Sequence, residues 1–154
     1  MPSGPATGAA VFTALGDRVR SALSDRGFTT PTEPRQRAIP PIATGQNVLV
    51  LAPTGTGKTE PAMLPVFDSM VRRRESAEET AAPDSASSAD DPEAGIGTLY
   101  ITPLRALNRD MRERLDLWGE YLDLEVDVRH GDTTQYQRQQ QAEDPPDVLV
   151  TTPE

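Results

Sequence analysis

The chain has 154 residues, enough for one domain with one real core. It has no cysteine, which excludes disulfides and thiolate metal sites, and no apolar run approaches membrane-spanning length. Its 24 acids against 15 bases give a formal net charge of −9, and 14 of those bases are arginine, so Lys58 is the single lysine. Met1–Gly8 has neither a basic nor an apolar leader segment, and the expectation is a soluble, cytoplasmic protein with no membrane partner. Two readings of the arginine bias stand open. An acidic surface with few lysines suits a halophilic, high-salt cytoplasm, whereas a GC-rich genome would favour arginine codons.

Residues 1–9 read as a flexible, Pro/Gly-containing terminus. From about Ala10 to Asp25 the positions Phe12, Leu15, Val19 and Leu23 recur at spacings of three and four, which predicts an amphipathic helix with Gly27 as its cap. Pro31 and Pro34 rigidify the next turn. Thr32 is placed to cap a helix running to Ala43, and Gly45 stops it.

Asn47–Thr59 reads N-V-L-V-L-A-P-T-G-T-G-K-T: a β-branched apolar run, a Gly-rich turn, then a helical pattern. That is the strand–loop–helix context of a phosphate-binding loop. A buried strand Val48–Leu51 would fix the loop Ala52, Pro53, Thr54, Gly55, Thr56 and Gly57. The glycines allow backbone N–H groups to face phosphate oxygens, and the start of the following helix also favours an anion. Lys58 supplies a point charge for the β/γ-phosphates and Thr59 a hydroxyl for Mg²⁺. Ala52 stands where the strict pattern begins with glycine.

The helix after the loop carries Met63, Leu64, Val66, Phe67, Met70 and Val71 and is expected to end at Arg72–Arg74. Glu75–Ala94 then holds seven carboxylates, no base and no large apolar residue. Such a segment cannot offset its ordering entropy and reads as an acidic disordered insertion. Without it, 17 acids face 15 bases. Ile96–Thr102 is a second β-rich run, and the helical pattern after Pro103 carries Leu104, Leu107, Met111, Leu115, Trp118 and Leu122 on one stripe. Arg105, Arg109 and Arg112 form another stripe, for which solvation and strand contact both stand open. Leu124–Arg129 alternates as a half-wet strand. Asp132 or Thr133 would cap a Gln-rich helix through Ala142, and Val148–Thr151 is the last strand. Strands alternating with helices predict an α/β domain of the P-loop NTPase type, a parallel sheet flanked by helices.

The ordered segments P-T-E-P-R-Q-R-A-I-P, A-P-T-G-T-G-K-T, T-P-L-R-A-L, R-H-G-D-T and T-T-P-E resemble the first RecA-like domain of a superfamily-two helicase. They cover nearly the whole chain apart from the terminus and the acidic insertion, and T-P-L-R-A-L, R-H-G-D-T and T-T-P-E look most like the Lhr-type branch of the DEAD/DEAH box helicases. The resemblance implies ATP- and Mg²⁺-dependent movement on single-stranded or duplex nucleic acid, DNA more than RNA. It implies strand-backbone contacts from Thr102, Pro103, Arg105, Gly131, Asp132, Thr133, Thr151, Thr152 and Glu154. Hydroxyls and backbone N–H groups of this kind grip phosphates without reading sequence.

Two departures matter. The family's adenine-reading glutamine falls on Arg35, with Gln36 one residue on, and one residue rotates a helical side chain by about 100°. Gln36 bonding adenine, Arg35 stacking on it, and Gln36 as a plain polar helix residue all stand open. Second, no D-E-x-H box occurs in these 154 residues, so no catalytic carboxylate can be named. The expectation is an RecA-like domain incomplete at its C-terminal end, lacking its second RecA-like partner domain and binding ATP weakly without hydrolysis. The alternatives are a non-catalytic nucleotide-binding module or gene remnant, and another superfamily-two motor such as a restriction-type translocase.

Overall fold

Local helix signals and long-range strand pairing separate the chain into two units, Met1–Glu79 and Thr80–Glu154. The structure is a computed structural model and describes residues 8–28, 30–53, 55–80, 95–103 and 109–153.

The first unit is helical. A 3-10 helix, Gly8–Ala14, precedes α1 (Asp17–Asp25), α2 (Glu33–Ala43) and α3 (Thr59–Thr80). The single helix expected over 10–25 is therefore two. The break falls at Gly16, whose N–H leaves the helical pattern and donates to the buried Asp68 Oδ1 at 2.6 Å. Asp68 Oδ2 accepts from Arg72 Nε at 2.8 Å, and Arg72 Nη2 reaches the Ala14 carbonyl at 3.2 Å. One carboxylate on α3 thus holds the junction between the 3-10 helix and α1. Asp68→Ala leaves the Gly16 amide unpaired at a cost of about 2 kcal/mol. The expected result is roughly 30-fold faster hydrogen exchange at that amide, and unchanged exchange would contradict the assigned bond.

Helices α1 and α2 end as expected. Phe28 N–H returns to Leu23 O at 2.9 Å past Gly27, and Gln46 N–H returns to Pro41 O at 3.0 Å past Gly45. Thr32 is the N-cap residue of α2, although its hydroxyl makes no capping bond. Helix α3 continues past Arg72–Arg74 to Thr80, a correction to the expected stop. Glu75, Ala77, Glu78 and Glu79 are good helix formers, and their propensity extends the helix into the acidic stretch. The rest of that expected insertion, 81–94, lies outside the described residues.

The larger correction concerns Val48–Leu51. No strand is formed there, and Leu49 and Leu51 are 82% and 85% exposed. A strand exists only through its ladder, and among the described residues of this unit no segment pairs with it. Buried apolar side chains come instead from the helices and the Leu15 junction, with Leu15, Val19, Leu23, Ile39, Leu64 and Phe67 almost fully covered.

The second unit contains β1 (Thr98–Ile101), α4 (Arg109–Leu122), β2 (Val126–Arg129), α5 (Gln135–Glu143) and β3 (Val148–Thr151). The strands form a parallel sheet in the order β1-β3-β2. Val148 stands opposite both Thr98 and Val126, and Thr151 opposite both Ile101 and Arg129, so the strand ends are level. Central β3 is buried through Val148, Leu149 and Val150, while Leu99 and Ile101 on edge strand β1 stay exposed. Burial pushes the Tyr100 phenol above its ordinary pKa. Leu115, Trp118 and Leu122 are the buried stripe of α4, as its periodicity predicts. Among the described residues no helix is long and apolar enough to cross a membrane.

Candidate functional site

The candidate phosphate loop has the backbone its glycines predict. Gly55 and Gly57 lie at φ 79° and 71°, in the left-handed region, and α3 starts at Thr59 directly behind them. Lys58 Nζ donates to the carbonyl oxygens of Ala52 and of Pro53, the latter at 2.9 Å. Thr56 Oγ1 donates to Pro53 O at 2.7 Å. The loop therefore closes on itself through its own carbonyl groups, with the ammonium held over the turn. Left-handed glycines, a helix start and that ammonium suit a polyphosphate. Thr54 lies outside the described residues. Among the described residues no group of three or more His, Cys, Asp and Glu side chains is placed to hold a metal ion. A Mg²⁺ here would be held by Thr59 together with phosphate oxygens and water, as suits a small, tightly hydrated cation.

Beneath the loop sits Arg35. Its side chain is 8% exposed, it lies 3.7 Å from Glu60 Oε2, whose side chain is 6% exposed, and its Cζ stands 4.6 Å over the Phe28 ring. A Cβ on Gly57 would come within 3.7 Å of Arg35 Nη2 and 3.6 Å of Glu60 Oε2. The start of α2 is thereby brought to the start of α3. Gln36 Nε2 donates to Pro31 O at 3.0 Å, which ties it to its own turn. A cleft of about 400 Å³ between α2 and Val48–Pro53 reaches Thr56, with Glu33 and Arg37, paired at 2.8 Å, among its lining residues.

In the second unit the parallel register brings three predicted segments to one place. Thr102 and Pro103 follow β1, the turn Gly131, Asp132, Thr133 follows β2, and Thr151 and Thr152 close β3. All three strands point the same way, so these residues share the C-terminal edge of the sheet, where open α/β sheets present their ligand-binding groups. Thr102 N–H donates to Thr151 O at 2.9 Å. Thr102 and Thr152 are buried and Pro103 is exposed. Arg105 and Glu154 lie outside the described residues. Arg112 faces solvent and pairs with Asp116 at 3.8 Å.

Thr133 does not cap α5 as expected. Its hydroxyl accepts from His130 N–H at 2.8 Å inside the turn, and Thr134 caps the helix through a capping box with Gln137. Sequence reasoning also missed Glu60, Phe28, Arg138 and the buried Gln141. The capping box had a readable signal, Thr three residues before Gln. Buried polar partners had none, because their partners are distant in sequence or reached only through a fold.

The DEAD/DEAH box helicase family matches residues 32–154. The ATP-dependent helicase Lhr-Core of Saccharolobus solfataricus is 37% identical over 135 residues, which span 82% of this chain and 14% of that protein. Among solved structures, Mycobacterium smegmatis helicase Lhr bound to ssDNA and AMP-PNP superposes with a TM-score of 0.69 at 30% identity, over 93% of this chain and 17% of that one. DEAD-box helicase Mss116 bound to ssRNA and UDP-BeF superposes at 0.71 with 19% identity, over 91% of this chain and 26% of that one, a likeness of fold alone. The chain thus corresponds to part of a RecA-like fold. The chain belongs to the DEAD/DEAH box helicase family and resembles its Lhr-type members.

Proposed function

We propose that this chain is the N-terminal, nucleotide-gripping part of an ATP-dependent helicase or translocase that moves on nucleic acid, DNA in preference to RNA. The observation that supports it best is the left-handed Gly55/Gly57 loop opening onto α3 with Lys58 and Thr59 at its start, within a chain of helicase family. Lys58 and the loop N–H groups would hold the β/γ-phosphates of ATP and Thr59 would hold Mg²⁺. Arg35 and Gln36 would border the base, with Arg35 drawn onto Glu60 and Phe28. Thr102, Pro103, Arg105, the Gly131–Thr133 turn, Thr151, Thr152 and Glu154 would grip the strand backbone. In a salty cytoplasm such short hydrogen bonds outweigh a basic surface, because screening leaves counterion release little drive. These 154 residues hold no D-E-x-H box, so by themselves they would bind nucleotide weakly and release no phosphate.

The test uses the intact protein. Phosphate release from Mg²⁺-ATP is measured alone, with ssDNA and with ssRNA. Stimulation by ssDNA above ssRNA is the expected result. No hydrolysis at all would favour a non-catalytic nucleotide-binding module, and stronger stimulation by RNA would reverse the substrate preference.

A further inference from the structure

Arg138 stands one turn into α5, on the side of the turn that follows β2. Its Nε donates to the Thr133 carbonyl at 3.0 Å, and its Nη2 donates to the carbonyls of Gly131 at 3.3 Å and His130 at 3.4 Å. Three main-chain oxygens of one short turn converge on a single guanidinium. A second set of bonds fixes Arg138 in turn. Arg129 Nη2 donates to the Arg138 carbonyl at 3.2 Å, and Arg129 Nε donates to Gln141 Oε1 at 2.8 Å. Gln141, buried on an otherwise exposed helix, donates from Nε2 to Asp127 Oδ2 at 2.7 Å and to Val128 O at 3.1 Å. Polar bonds, rather than an apolar stripe, therefore seat α5 against β2.

We propose that Arg138 is a positioning residue for the strand grip. The inference rests on the reading of Gly131–Thr133 as a strand contact. A turn facing a polyanion should not offer it bare carbonyl oxygens. Arg138 draws three of them toward α5 and neutralises their negative ends, so the turn is ordered before a phosphate arrives. The same geometry serves His130. Its Nδ1 accepts from Asp132 N–H at 3.2 Å, one more bond that orders the turn.

The experiment measures ssDNA affinity of the intact protein as a function of salt, with nucleotide affinity as the control. Arg138→Ala is expected to weaken ssDNA binding about tenfold, since one displaced turn forfeits a charge-assisted contact. Nucleotide affinity stays unchanged. The slope of log affinity against log salt also stays unchanged, whereas loss of a direct phosphate contact would reduce it by about one. Arg138→Lys, which keeps the charge but serves fewer carbonyls, is expected to lose about threefold. A slope reduced by one, equal ssDNA affinity in both variants, or nucleotide affinity falling in step with strand affinity would overturn the proposal. Wild-type protein with no ssDNA affinity would overturn the strand-contact reading beneath it, a result separable from failure of the Arg138 role alone.

Discussion

In the intact protein, Lys58→Ala is expected to remove the proposed strand-stimulated ATP hydrolysis, with kcat at least about 100-fold down, the scale on which one preorganised charge acts on a developing oxyanion. Lys58 is the only lysine of the chain, and it sits between two left-handed glycines' loop and the first residue of α3. Its ammonium rests on the Ala52 and Pro53 carbonyls, a neutral pair of acceptors that a triphosphate would replace with full negative charge. Exchanging a carbonyl for a phosphate oxygen strengthens the bond at little cost in order, because the loop is already closed. The loss should appear in nucleotide binding as well as in turnover. Lys58→Arg is not expected to restore either, since a planar fork replaces the point charge that the loop encloses. The measurement is phosphate release with saturating ssDNA, paired with nucleotide affinity. Activity retained in Lys58→Ala would remove the phosphate-loop assignment and the helicase mechanism with it.

The second large effect concerns the support of the C-terminal edge of the sheet, proposed above to grip a nucleic-acid strand. A Cβ at Gly119 of α4 would lie 2.7 Å from the Leu124 carbonyl oxygen and 2.9 Å from Val126 Cγ2. The first of these is backbone and cannot swing aside. Helix α4 ends beside it, with Asp123 at φ 57° and Leu124 N–H returning to Gly119 O at 2.9 Å, so the chain doubles back over its own glycine before entering β2. Gly119→Val is expected to destabilise the second unit by about 3 kcal/mol, at the upper end of overpacking costs. Helix propensity offers no relief, because valine gains little over glycine and its branched Cβ adds to the crowding. Gly95→Val is the control, since nothing lies within 4 Å of its Cβ position. Hydrogen exchange across β2 and β3 reads the result. Protection equal in the two variants would show that the α4–β2 approach is looser than 2.7 Å implies.

These effects differ in how far the sequence anticipates them. The backbone of the Gly55–Lys58 turn is legible because its requirements are local: two glycines and a helix start within a few residues. Helix caps at Gly27 and Gly45, the α4 stripe and β3 were legible for the same reason, since periodicity and φ preferences act over one or two turns. Val48–Leu51 shows the limit. It matches Val148–Thr151 in its first three residues, Val-Leu-Val, yet only the latter forms a strand, because pairing belongs to two segments and not to one. The end of α3 differs for a gentler reason, the helix propensity of Glu75–Glu79 carrying it past the expected stop at Arg72–Arg74.

What the sequence by itself determined is the set of groups carried at each motif: glycines, Lys58 and Thr59 in the Ala52–Thr59 loop, and threonine hydroxyls after each strand. Tertiary structure alone decided which of these stand together. The level parallel register set Thr102, Gly131–Thr133 and Thr152 on one edge. Asp68 was matched to Gly16 across 52 positions, Arg35 to Glu60, and Gln141 to Asp127 and Arg129. A polar group loses its water on burial and must find a partner wherever the fold supplies one. That search runs through space, and sequence spacing carries no record of it.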